Sequence, residues 1–366
     1  MTKAPPVTKP EIVDDLKEAV APRLFDPGES AHALTLADRF VLPPFTQLDA
    51  RSGVWQQRKK MWLDLGLRSQ KGRTARTFAE AGGNDEVSRK ILALTNGQSI
   101  FDPVLCEMFY RWFTPKGGLI LDPFAGGSVR GIVAAVTGRH YVGIDLSDIQ
   151  VRANMLQADD FTARHVYSTD YSPTWITGDS REVLEEPEEW DVPDGVDFVW
   201  SCPPYADLEK YSDDPRDLSN MPYDKFREVY TEIIHAAIRQ LKDDRFCGFV
   251  VGEIRDPKTG LYRNFVGDTI AAFESGGVTY YNEAFLVSPA GTLPLRAAKQ
   301  FVVSRKLGRT HQTVLIFVKG DPKEATRACM DDETMRAAIT AMGQSYEEVL
   351  DEPESDEDFT PGWENG

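Results

Sequence analysis

The chain has 366 residues, 41% hydrophobic and 10% aromatic, a globular composition long enough for one α/β domain with additions. It contains no apolar run of ~18 residues, no apolar core of a secretion signal in MTKAPPVTKPEIVDD, and no CxxC pair among Cys106, Cys202, Cys247 and Cys329. A cytoplasmic protein without membrane span, metal or disulfide framework is therefore expected. The net charge of −17 is unevenly spread, because the segment from Glu347 to Gly366 alone carries nine acids and no base.

In chain order, residues 1–35 are rich in proline and charge and read as flexible. Residues 36–97 form a basic and aromatic leader. Trp55, Met61, Trp62 and Leu65 have roughly helical spacing, and Arg51 to Arg76 holds eight bases against one acid. From about 98 to 322 strands and helices alternate, as in a doubly wound, mostly parallel α/β sheet. Strands are expected at Leu119–Leu121, His140–Asp145, Thr174–Asp179, Val196–Ser201, Phe246–Ile254, Val278–Val287 and Thr313–Lys319. Helices are expected near 131–137, 148–158, 222–241 and 264–275. The last two strands are separated by a basic loop without a clear helix, so they are candidates for antiparallel pairing. A C-terminal helix (323–345) precedes an acidic, disordered tail (346–366).

Ligands bind such sheets beyond the carboxyl ends of the strands, and three of those ends carry chemistry. Asp122-Pro123-Phe124-Ala125-Gly126-Gly127-Ser128 is a glycine turn between a strand and a helix, able to bring backbone N–H groups close to a ligand. It is neither GxGxxG nor a phosphate loop with its lysine. Asp145, followed by Leu146, ends the second strand and suits the two ribose hydroxyls of an adenosine. Asp179 and Ser180 end the third and suit an adenine amino group. One such acid is commonly only a helix cap; the succession of ends is what points to a nucleoside ligand.

The fourth strand runs into Ser201-Cys202-Pro203-Pro204-Tyr205. Two prolines remove two backbone donors and stiffen the chain, leaving the preceding carbonyls to face a cleft. Free carbonyls and a side-chain acceptor can bind a planar amino group, and Tyr205 offers a face for stacking a base. A base in a duplex reaches such a turn only when flipped out.

With these residues the sequence resembles the amino-methylating DNA methyltransferases, whose pattern joins a DPFxG-type cofactor turn to a (D/N/S)PP(Y/F/W) catalytic turn. It resembles phage-encoded DNA methylases in particular, over roughly residues 97–320. The resemblance implies a seven-stranded Rossmann-like methyltransferase sheet with an antiparallel last strand and S-adenosylmethionine as methyl donor. It also implies in-line transfer to adenine N6 or cytosine N4 of double-stranded DNA, in a bacterial or phage-infected cell, with an RNA base methylated through the same turn as the alternative, since phosphate contacts do not distinguish the two. Phe101 (within Ser99–Pro103), Asp122, Pro123, Phe124, Gly126 and Gly127 would contact the methionine part. Asp145 would hold the ribose and Asp179 or Ser180 the adenine, with Leu146 also among the cofactor contacts. The sequence departs from the pattern at Cys202, a weak acceptor where Asp, Asn or Ser is usual, so either Ser201 or a backbone carbonyl takes that role, or Cys202 fills it poorly. The residue that would name the base is thereby lost; adenine is favoured only on general frequency. Arg58, Lys59 and Lys60 of the leader, with Arg305, Lys306, Arg309 and His311 before the last strand, are candidate DNA contacts. A charge run is as often a solvated face. A five-methylcytosine enzyme is disfavoured, because its cysteine nucleophile typically follows a single proline.

Overall fold

Val, Ile, Leu and aromatic residues dominate the expected strands, and the central segments Leu119–Asp122, Val196–Ser201 and Phe246–Val251 are buried on both faces, as parallel strands covered by helices must be. In the computed structural model, which describes residues 40–42, 44–67, 101–208, 210–291 and 293–342, the strands form one eight-stranded sheet. In chain order the elements are β1 (Gln47–Asp49), α1 (Gly53–Asp64), α2 (Pro103–Phe113), β2 (Leu119–Asp122), α3 (Val129–Val136) and β3 (His140–Asp145). Next come α4 (Asp148–Ala163), β4 (Thr174–Thr177), α5 (Ser180–Glu185), β5 (Val196–Ser201), α6 (Tyr223–Gln240) and β6 (Leu241–Val251). The chain continues with α7 (Phe265–Ser275), β7 (Thr279–Val287), α8 (Leu293–Ser304), β8 (His311–Lys319), α9 (Pro322–Cys329) and α10 (Glu333–Met342). Segments 1–35 and 68–97, Ser99, Ile100 and the tail 346–366 lie outside the described residues.

The strand order is β1-β7-β8-β6-β5-β2-β3-β4. All pairings are parallel except those of β8, which runs antiparallel to both β6 and β7. The chain thus starts the main sheet at β2, moves outward through β3 and β4, and returns to β5 on the other side of β2. A crevice opens where the direction reverses, above the ends of β2 and β5. Alternate strand residues feed two cores. Ile120, Phe198, Trp200 and Phe246 pack under α1–α4 and α9, while Leu121, Val199, Cys247 and Phe249 pack under α5–α7.

Three expectations are corrected. The sheet has eight strands, not seven, because Gln47–Asp49 of the leader adds to the edge beside β7 (Leu48 opposite Leu286). The stretch before β8 is not all loop, since α8 occupies Leu293–Ser304. The single C-terminal helix is two, α9 and α10. The described part of the leader is also no detached arm. Trp55 and Trp62 of α1 are fully buried, and the Trp62 indole N–H donates to Glu107 Oε2 of α2 at 2.9 Å.

Candidate active site

A cleft of about 720 Å³ lies over the carboxyl ends of β2–β5. Behind its lining lies Asp122, the last residue of β2, whose carboxylate is fully buried. Oδ1 accepts from Ser201 Oγ at 2.5 Å and from the Phe124 N–H at 3.2 Å. Oδ2 accepts from Tyr141 Oη at 2.7 Å and from Arg130 Nε. One side chain therefore ties together the glycine turn, β3, α3 and the end of β5. Asp122, Gly127 and Ser201 do not line the cleft, whereas Phe101, Pro123, Phe124, Gly126, Asp145, Leu146, Asp179 and Ser180 do. The sequence-based role of Ser201 as an acceptor facing the cleft is corrected: its hydroxyl is a buried donor to Asp122.

The glycine turn is held from several sides. Asp145 Oδ2 accepts the Gly126 N–H at 2.8 Å, and Oδ1 accepts the Ser147 N–H at 2.8 Å. Asn154 Nδ2 donates to the Gly126 carbonyl at 2.8 Å. Ser180 Oγ donates to the Pro123 carbonyl at 2.6 Å. Gly126 has φ of 51°, in the left-handed region that favours glycine. Gly143 of β3 lies beneath the turn, where a Cβ would fall 2.6 Å from Tyr141 Oη and 2.8 Å from Ala125 Cβ. Asp179 caps α5 through the Arg181 N–H at 2.9 Å and pairs with the Arg181 guanidinium at 2.9 Å.

The double-proline turn forms another wall, with Cys202, Pro203, Pro204 and Tyr205 all lining the cleft. Tyr205 is pinned in three ways. Its hydroxyl accepts from Gln312 Nε2 at 2.6 Å, lies 3.9 Å from Cys202 Sγ, and its ring meets Phe265 edge-on at 6.0 Å. Burial pushes the phenol well above its ordinary pKa, so Tyr205 works as a neutral ring. The loop after the turn folds back over the cleft, with Tyr211, Ser212, Asp214, Arg216 and Asp217 in its lining. The Asp217 carboxylate organises that loop, accepting from Ser212 Oγ at 2.8 Å and from Ser219 N–H and Oγ.

The candidate nucleic-acid contacts divide. Arg58 is an internal ion-pair partner rather than a surface base, since its Nε donates to Glu107 Oε2 at 2.8 Å. Burial by itself would raise the Glu107 carboxyl, but Arg58, Arg111 and the Trp62 N–H outweigh it and hold it down at about 2. Lys59 lines the cleft mouth and pairs with Asp102 at 2.9 Å. Lys60 and Arg305 are exposed, Lys306 and Arg309 half-exposed. His311 is the first residue of β8, edge-on to Phe285 at 5.4 Å, and does not line the cleft. Desolvation and the neighbouring Arg309 lower its pKa, which keeps the ring neutral at pH 7.

Sequence reasoning missed Arg130, Gln312 and Gln56, all of which line the cleft. Arg130 carried a usable signal, a charged residue inside the apolar helix Val129–Val136, where only a paired cation is tolerated. Gln312 carried none, because its role depends on β8 being threaded between β6 and β7.

No protein-family model matches the chain, and no curated protein matches it. Among solved structures it is similar to magnesium protoporphyrin IX methyltransferase from Synechocystis, at 12% identity over 65% of this chain and 89% of that one, with a TM-score of 0.38. It is similar to TrmN from Thermus thermophilus at 13% identity over 86% and 80%, with a TM-score of 0.39. It is also similar to a putative rRNA-methylase from Clostridium thermocellum at 11% identity over 61% and 100%, with a TM-score of 0.36.

Proposed function

We propose that the chain is an S-adenosylmethionine-dependent methyltransferase that methylates the exocyclic amino group of a nucleic-acid base, with DNA as substrate and adenine N6 favoured over cytosine N4. The observation that carries this is the opening of the Cys202–Tyr205 turn onto the same cleft as the acids ending β3 and β4. The cleft volume falls in the range of sites for ligands of this size. Asp145 lines the cleft at the end of β3, and its carboxylate is of the chemistry that suits ribose hydroxyls. The residues present therefore fit an adenosine-bearing cofactor.

When bound, S-adenosylmethionine supplies a methyl group on a sulfonium centre. The chain's own residues do the rest. Tyr205, held by Gln312 and Phe265, gives a fixed neutral face on which a flipped-out base can stack. Carbonyls of the double-proline turn accept the amino N–H groups, which leaves the nitrogen lone pair more available. Both hydroxyls of this turn are already engaged, Ser201 Oγ by Asp122 and Tyr205 Oη by Gln312. The loop carrying Tyr211–Leu218 covers the cleft and limits access of water. Exposed Lys60 and Lys299 and the Lys306–Arg309 loop supply cations for the phosphate backbone.

The test is incubation with methyl-labelled S-adenosylmethionine and mixed DNA, followed by mass analysis of the nucleosides. N6-methyladenine is the expected product and N4-methylcytosine would reassign the base. Label found only in RNA or protein would overturn the choice of DNA, and no label anywhere would overturn the activity.

A further inference from the structure

We propose that Arg130 takes up the carboxylate at the amino-acid end of the cofactor, and so makes the site select the zwitterionic end of its ligand; this rests on the cofactor reading above. Arg130 begins in the first turn of α3 and is 4% exposed, yet it lines the cleft. A guanidinium has five N–H donors. Nε donates to Asp122 Oδ2, and Nη2 donates to the carbonyls of Phe124 at 2.6 Å and Ala125 at 2.9 Å. Three donors are thus engaged by the floor of the turn. The two on Nη1 meet no acceptor among the described residues. The ring of Phe101 packs over the group, 4.7 Å from its centre, and restrains the plane. Burial opposes the charge, but Asp122 and Tyr141 more than reverse this and raise its pKa, so the group stays a cation.

Other cations at the cleft are differently placed. Arg216 is paired with Asp214 on the covering loop, and Lys59 is paired with Asp102 and a third exposed. Arg130 alone of the three combines burial, a fixed plane and one nitrogen with both donors left over, the geometry that suits a carboxylate. Its position also matters. It belongs to the β2 end of the cleft with Phe101, whereas Asp145 and Asp179 close the ends of β3 and β4 farther along the sheet. A ligand with its nucleoside on the two acids would present its other end to Arg130.

The experiment is calorimetric titration of the full chain with S-adenosylhomocysteine and with its decarboxylated analogue, which keeps the adenosine, thioether and amine. A charge-assisted hydrogen bond predicts about 10- to 150-fold tighter binding of the carboxylate ligand to the native protein. In D122N/R130M, which removes both buried charges together and so leaves neither unpaired, the two ligands should bind within about 3-fold of each other. Equal affinities in the native protein would overturn the proposal without any variant. A preference that survives in D122N/R130M would overturn it too, assigning the carboxylate to another group. Failure of either ligand to bind the native protein would instead overturn the cofactor reading and this inference with it.

Discussion

Asp122→Asn tests the central claim that one buried carboxylate locks the two turns together. Asparagine keeps the shape but converts one of the two oxygens into a donor. Two of the four groups that now donate to Asp122, Tyr141 Oη and Arg130 Nε, would face that NH2 if the other oxygen kept Ser201 and Phe124. The larger loss is electrostatic. Arg130 is 4% exposed, and Asp122 is its sole anionic partner among the described residues. Removing one member of a buried pair costs roughly 3–5 kcal/mol, because the other charge is left uncompensated. Against a typical domain stability of about 5–15 kcal/mol that is a large fraction. We therefore expect D122N to lower the urea unfolding free energy by about 4 kcal/mol with an unchanged denaturant slope. D122N/R130M, which removes both charges, should recover at least about 2 kcal/mol of that loss. A D122N effect below about 1 kcal/mol, or a double variant less stable than D122N, would refute the reasoning.

Other predictions follow from single residues. Glu107 has a folded pKa of about 2 against an ordinary value of 4.5, so its charge stabilises the fold fully above about pH 5 and progressively less as pH falls toward 2. That depression is equivalent to ~3 kcal/mol, and the stability gap between native protein and E107Q should close over this acid range in pH-dependent urea melts. Y205A should lower kcat/KM for the nucleic acid by about 5- to 150-fold, the loss of one stacked base, while Y205F retains most of it. Steady-state methylation assays check this, and equal losses in the two variants would show that the hydroxyl rather than the ring matters. G143A should cost about 1–3 kcal/mol by overpacking against Tyr141 and Ala125, and should weaken S-adenosylhomocysteine binding in the same calorimetric assay.

The parallel part of the fold was readable because its strands are short apolar runs ending in turn residues, and that pattern has few other uses. The eighth strand was not. Gln47-Leu48-Asp49 has only three residues and one buried side chain, and it becomes a strand through pairing with β7, some 240 positions later. Helix α8 was hidden for a related reason. Leu295, Val302 and Val303 on it are exposed, so its apolar residues do not repeat with a buried face. Arg58 misled in the opposite way. A run of Arg-Lys-Lys reads as a solvated basic face, and only the packing of α1 on α2 shows that its first member reaches inward to Glu107.

The cleft-lining residues of the site were readable to the extent that their chemistry is local. The acids ending β3 and β4, the glycine turn and the double-proline turn each declare themselves within a few positions. Their coupling is not local, and it changes the meaning of Ser201. Of the last residue of β5 and the first of the turn, only one lines the cleft. Cys202 faces it, and Ser201 points into the sheet beside β2, where Asp122 waits as an acceptor. The departure from the usual pattern at Cys202 is thus not compensated by its neighbour. The serine instead fastens the double-proline turn to the glycine turn through a single carboxylate. On this arrangement S201A should act mainly by loosening the glycine turn. It should weaken cofactor binding before it alters the chemistry at the amino group, and C202S should restore nothing that S201A removes.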